Sequence, residues 1–274
     1  MMNWGALPLL VAAVLVPVLA AGLCLPVVCS EADEDIRNAI IRYRSAIEAN
    51  PGNPTTRIRL GRVYLMSGDL EGAASEFRQA IKLAPEDAEP QYGLARALVR
   101  RGDLDGAAQA LKQALRLDPN NADYHHKLGQ VWSRKQKTDE AIGEFRQALK
   151  LNPQLAAAHR DLGAVLGLKG DFDGQIFEES QAARIAPGDA DTYYYLGSAY
   201  VARGKTAQAR SALERCVELD PRNADALRLL AAVQAAGGEM ERAVKTEERA
   251  LKLDPGNPAI RSALSKMRAA AGGR

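Results

Sequence analysis

Proline recurs every 34 residues, at Pro51, Pro85, Pro119, Pro153, Pro187, Pro221 and Pro255, with no insertion between copies. A fixed period of this length means that one small unit is copied and stacked, because such a unit has too little apolar surface to form a core alone. Counting from the third residue after each Pro gives six full copies: 54–87, 88–121, 122–155, 156–189, 190–223 and 224–257. The seventh position is Leu60, Leu94, Leu128, Leu162, Leu196 and Leu230, and the eighth is always Gly or Ala. The twentieth is Ala except for Gln175, and the twenty-seventh is Ala except for Cys216.

Each unit predicts two helices joined by a tight turn. Gly68, Gly102, Gly170, Gly204 and Gly238 stand where that turn needs a positive φ, and Gln136 replaces them in the third unit, where a strained turn is expected. Asp87, Asn121, Asp189, Asn223 and Asn257 precede the next first helix and are suited to cap it, whereas Leu155 is not. The Pro stops the second helix. Composition agrees: the chain is 47% hydrophobic but only 5% aromatic, with Ala and Leu, both good helix formers, carrying the apolar content.

The order Leu-Gly, Tyr, Ala, Phe, Ala, Pro at this period resembles the tetratricopeptide repeat family over the whole of 54–257. That resemblance implies an all-α, right-handed α-solenoid of six helix-turn-helix repeats. Residues 31–53 read as a capping half-repeat, with Ala39, Tyr43, Ala46 and Pro51 matching a second helix, and 258–274 as a capping helix with a frayed Ala-rich tail. Fourteen helices are expected after residue 30. Repeats four and six depart most from the pattern: Glu179 and Glu247 stand where repeats one and three have Phe77 and Phe145. Their second helices are expected to pack less well or to carry a partner. Cys216, at an Ala position, reads as a small core residue.

Residues 1–30 contain no Asp, Glu, Lys, Arg or His, and Trp4–Cys29 is an uncharged run of mostly Leu, Val and Ala. Its length favours a membrane anchor over a secretory signal, while small residues at Ala20–Gly22 and Val28–Ser30 suit cleavage. Cys24 follows a stretch close to a lipidation motif, with Leu23 where that motif has a small residue. Whether the segment is cleaved, lipidated or retained stays open. Its position at the amino terminus favours repeats lying outside the cytoplasm, in a secreted, periplasmic or membrane-anchored protein. Cys216 is the one Cys of the repeats, so no internal disulfide is expected there.

No phosphate-binding loop, nucleophile elbow, H-E-x-x-H or paired C-x-x-C occurs, so no enzyme activity and no cofactor is expected. The formal net charge of +2 gives no argument for nucleic acid. His125 and His159 share a repeat position in adjacent units, but two ligands are too few for a metal site. In the family, positions two, five, nine, twelve and thirteen of the first helices line the binding groove. Transferring them gives Arg62, Tyr92, Arg96, Arg100, His126, Arg134, Arg160, Tyr194 and Arg228. The first four repeats thus offer a row of Arg, and the last two a small apolar face that includes Ser198, Val201, Ala202, Ala232, Ala235 and Ala236. Arg forks suit an acidic, carboxylate-bearing peptide; a solubilising surface is the other reading of the same residues. Lys112, on a second helix, stands outside the row. Position five holds no Lys and position nine no Asn, so the family's Lys-Asn clamp on a terminal carboxylate is not supported. Two functions remain open: a protein-binding scaffold, and an accessory subunit of a membrane-associated enzyme or assembly complex acting through self-association.

Overall fold

The structure, a computed structural model, describes residues 31–272. The uncharged amino-terminal run lies outside the described residues. Among the described residues there are fourteen helices and no strand, and the chain is an α-solenoid. Helix α1 (Glu31–Ala49) covers the first repeat. The repeats are the pairs α2 (Pro54–Ser67) and α3 (Leu70–Leu83), α4 (Ala88–Arg101) and α5 (Leu104–Leu117), and α6 (Ala122–Arg134) and α7 (Thr138–Leu151). They continue with α8 (Ala156–Leu168) and α9 (Phe172–Ile185), α10 (Ala190–Ala202) and α11 (Thr206–Leu219), and α12 (Ala224–Ala236) and α13 (Met240–Leu253). Helix α14 (Pro258–Gly272) closes the stack. It runs through the Ala-rich residues expected to fray, because Ala is the strongest helix former and nothing there interrupts the backbone ladder. No described helix is long and apolar enough to cross a membrane.

Each helix packs on the next in sequence, and the first helices also touch one another, α2 with α4, α6 with α8 and α10 with both α8 and α12. They therefore line one face of the stack. The close approach depends on a large residue entering a gap left by small ones. Phe77 of α3 lies against Gly61 of its own repeat and Gly93 of the next; a methyl group on Gly61 would come within 2.9 Å of its ring. Phe145 meets Gly129 and Leu213 meets Gly197 in the same way.

The local signals act where the sequence places them. Asn53 accepts a hydrogen bond from the Thr56 amide at 3.2 Å, and Asn223 one from Ala226 at 2.9 Å. Leu155 leaves α8 without a side-chain cap. Second helices start on Asp69, Asp103 and Asp171, each accepting from the amide of a Gly three residues on. In the turns, Gly102 has φ 86°, and Gln136 adopts φ 58° in the third repeat, the strained conformation its position demands.

Two sets of charged contacts tie neighbouring units together. Arg101, Lys135, Lys169 and Arg203, at the ends of successive first helices, pair with Glu71, Asp105, Asp139 and Asp173 of the preceding repeats. Arg57, His125 and His159 each join a Glu of their own second helix, Glu76, Glu144 or Glu178, to the carbonyl of the preceding Pro.

The apolar core is not continuous. One cluster runs from α1 to α4, a second from α4 to α8, and a third from α10 to α14. Helix α9 contributes to none of them, since Gln175 and Glu179 occupy two of its three buried positions and only the small Ala182 fills the third.

Leu128 is 1% exposed in the middle cluster. Leu128→Ala is expected to cost about 2–5 kcal/mol, seen as a lowered denaturation midpoint. Because repeats interact with their neighbours, hydrogen exchange should rise first in repeats two to four, not uniformly along the stack.

Candidate functional site

The nine residues assigned to the groove do not share one environment. Arg62 pairs with Glu89. Arg160 pairs with Asp189 at 2.7 Å and lies 3.7 Å from Asp161. Arg228 faces Asp225 one turn earlier at 3.4 Å. The row of Arg over four repeats thus has carboxylate partners at both ends, 27 to 29 residues away in sequence and brought close by the stacking.

His126 is a second correction. It is 5% exposed, so it belongs to the packing between α6 and α8 and not to an open surface. Its Nε2 lies 2.8 Å from Asp161 Oδ2, and its ring stands 5.8 Å from that of Phe145. Gln130 donates to the same carboxylate oxygen at 2.6 Å. Burial raises the Asp161 pKa, but the hydrogen bonds from His126 and Gln130 outweigh it and hold this carboxyl below its ordinary value.

What remains is concentrated in repeats two and three. Arg96, Arg100 and Arg134 surround one depression of about 170 Å³ between α4 and α6, together with Tyr92, Lys127 and Gln130. All three Arg are exposed, and among the described residues no carboxylate pairs with any of them. Arg100 instead donates to the Leu65 carbonyl. Arg96 lies over the Tyr92 ring at 5.9 Å, and Tyr92 stacks on Tyr124 with centroids 4.9 Å apart. Arg96 and Arg100 also border a second depression with Arg62 and Met66, so the cationic surface extends toward repeat one. Gln130 shares position nine with Arg62 and Arg96 and was legible by register; Lys127, at position six, lies outside the transferred set.

Farther along, Tyr194 packs edge-on to Tyr195 at 5.5 Å, and burial raises its pKa. Of the small apolar face, Val201, Ala202, Ala232 and Ala236 are exposed and Ser198 and Ala235 are half-buried. Leu168, at position thirteen of repeat four, is 84% exposed and adds a large apolar side chain to this face.

His125 and His159 do not converge. Each ring spans its own repeat, with Nδ1 on Glu144 or Glu178 at 2.7 and 2.6 Å and Nε2 facing a Pro carbonyl. Burial disfavours the charged form of His159, yet its bonds to Glu178 and the Pro153 carbonyl raise the pKa above the ordinary value, since both ring nitrogens then donate. Among the described residues no group of three metal-ligating side chains is assembled. Cys216 is fully buried and its thiol pKa is pushed up to about 11 by burial, which keeps it protonated.

Two models of tetratricopeptide repeats match the chain: the cytochrome c-type biogenesis protein H TPR domain over residues 29–154, and the tetratricopeptide repeat over residues 126–190 and 194–258. The chain belongs to the tetratricopeptide repeat family. A search of curated proteins finds none that matches. Among solved structures, it is similar to the pilF protein of Pseudomonas aeruginosa (TM-score 0.68, 18% identity, 86% of this chain and 99% of that one). It is similar to the Cut9–Hcn1 hetero-tetramer of APC/C (TM-score 0.67, 19% identity), covering 85% of this chain but only 46% of that one, less than half its length. The protein YrrB, described as having an unusual peptide-binding site, matches with TM-score 0.57 and 24% identity over 68% of this chain and 95% of its own. These identities speak for the shared fold.

Glu179 is the strongest departure from the repeat. It is fully buried, its Oε1 and Oε2 have no hydrogen-bond partner, and burial pushes its pKa up to about 9, with Arg160 only partly offsetting this. An unfolded chain ionises the same carboxyl near pH 4.5. The stability from this group is therefore fully present below that pH and is lost as pH rises toward 9. Replacing it by the residue of repeats two and five, Glu179→Leu, is expected to stabilise the fold by about 1–3 kcal/mol at pH 8 and by less at pH 5. Thermal melts at the two pH values measure the difference.

Proposed function

We propose that the chain is a non-catalytic scaffold that holds an acidic segment of a partner protein on the first-helix face of repeats one to three. The observation that carries this is the set of exposed cations, Arg96, Arg100 and Arg134, left without carboxylates around one depression while the groove residues Arg62, Arg160 and Arg228 are neutralised. Arg suits a carboxylate because its planar fork donates two parallel hydrogen bonds, and it stays charged at every physiological pH. Tyr92 stiffens the site by stacking beneath Arg96.

The partner can be identified by cross-linking in the native cell followed by capture of the full chain. With that partner, Arg96→Glu combined with Arg134→Glu is expected to weaken binding at least tenfold, about 1.4 kcal/mol, to slow association and to reduce its salt sensitivity. Lys150→Glu, exposed on α7, serves as the control and should change little. Lys112 would be a poor control, since its ammonium lies 5.0 Å over the Trp132 ring and helps to hold the turn of repeat three. Full affinity in the Arg double variant, with loss in the Lys150 variant, would place binding on the opposite face.

The accessory-subunit reading is favoured by one observation, the match of residues 29–154 to the cytochrome c-type biogenesis protein H TPR domain. It agrees with a membrane-directed amino terminus and with repeats outside the cytoplasm. Cell fractionation of the full-length protein is expected to find it in the membrane or an extracytoplasmic compartment; recovery from the cytosol with Met1 or Met2 still attached would overturn that placement. Light scattering of the full chain in mild detergent separates self-association from a monomeric adaptor.

A further inference from the structure

The depression ringed by Arg96, Arg100 and Arg134 has an apolar interior. Ala95 and Val99 of α4, Leu111 of α5 and Val131 of α6 form it, and three of these four are buried. The volume of about 170 Å³ exists because two small α4 side chains face the gap to α6, where a larger residue would close it. An apolar cavity of about 150 Å³ is enough to take up a benzene-sized group. Charge alone gives no use for such a space: a carboxylate satisfied by the rim Arg would sit at the mouth, and driving it onto Ala95 and Leu111 would strip its hydration without new donors.

We infer that the pocket between α4 and α6 takes one bulky apolar side chain, an aromatic ring by volume, from a partner segment whose flanking residues are acidic. The inference rests on the scaffold reading above and narrows its ligand from any acidic peptide to an anchored one. The ring fills the space over Ala95, Val99, Leu111 and Val131. Carboxylates on either side meet Arg96 on α4 and Arg134 on α6, which stand on opposite rims of the same pocket. Apolar burial then supplies affinity, and the two unpaired Arg fix register and exclude basic segments. An anchor residue in a desolvated pocket with a polar rim is the arrangement that concentrates binding energy in a few contacts.

The test uses the full-length chain in mild detergent and three fluorescein-labelled seven-residue peptides, read by fluorescence anisotropy. The first has a central Phe with two Glu on each side and terminal Gly. The second replaces the Phe by Ala, and the third replaces the Glu by Lys. The Phe-centred acidic peptide is expected to bind at least tenfold tighter than the Ala-centred one, and the Lys-flanked peptide not to bind. Val99→Phe, which fills the pocket from a half-buried position, should abolish the advantage of Phe over Ala. Arg96→Glu with Arg134→Glu should weaken both acidic peptides. Equal affinity for the Phe- and Ala-centred peptides overturns the pocket and leaves the charge-based reading standing. Equal affinity for the Glu- and Lys-flanked peptides overturns the charged rim, and no binding by any peptide overturns both. If Val99→Phe fails to fold, the comparison of peptides on the unaltered chain still decides.

Discussion

The structure depends on one steric device, a large side chain of a second helix entering the space left by small residues on the first helices of its own and the following repeat. Phe77 between Gly61 and Gly93 shows it most clearly, because Cβ atoms at those glycines would overlap the ring. Dispersion and apolar burial at that contact fix the distance between helix backbones, and the distance fixes everything outward from it. The first helices are brought side by side onto one face, so Arg96 on α4 and Arg134 on α6, 38 residues apart, frame a single pocket.

Electrostatics follows from that geometry and does not create it. Arg101, Lys135, Lys169 and Arg203 each meet a carboxylate 30 residues earlier because the period brings the end of a first helix over the start of the preceding second helix. Pairs this exposed contribute little to stability, because solvent screens them. Their effect is on register and on which cations are left over. In repeats one, four and six the groove Arg are absorbed by Glu89, Asp189 and Asp225, and in repeats two and three they are not. The same neutralising logic tucks His126 under Asp161 and Gln130.

The repeat was legible because its signals are local or strictly periodic: Leu128 and its equivalents, the capping Asp and Asn residues, the turn glycines, and the strained Gln136 that stands in for one of them. The anomaly at Glu179 was legible too, as a break in the pattern. Pairing was not, since Arg62 finds Glu89 and Arg160 finds Asp189 only after two helices have folded back. Nor was the pocket, which needs the volumes of Ala95, Val99, Leu111 and Val131 summed across three helices. Position-by-position transfer treats each first helix alone, so it placed His126 on the surface and passed over Lys127.

The gap that α9 leaves in the apolar core has a mechanical meaning. In a rod whose units are held only by their neighbours, tension or heat opens the weakest seam first. Glu179 stands where repeats one and three have Phe, and Gln175 where the other five repeats have Ala, so the apolar core is thinnest at repeat four. The apolar clusters of α4 to α8 and of α10 to α14 lie on either side of it, so loss of α9 would leave each cluster whole. Arg96 and Arg134 belong to the cluster on the amino-terminal side of that break, so their spacing does not depend on the packing of α10 to α14.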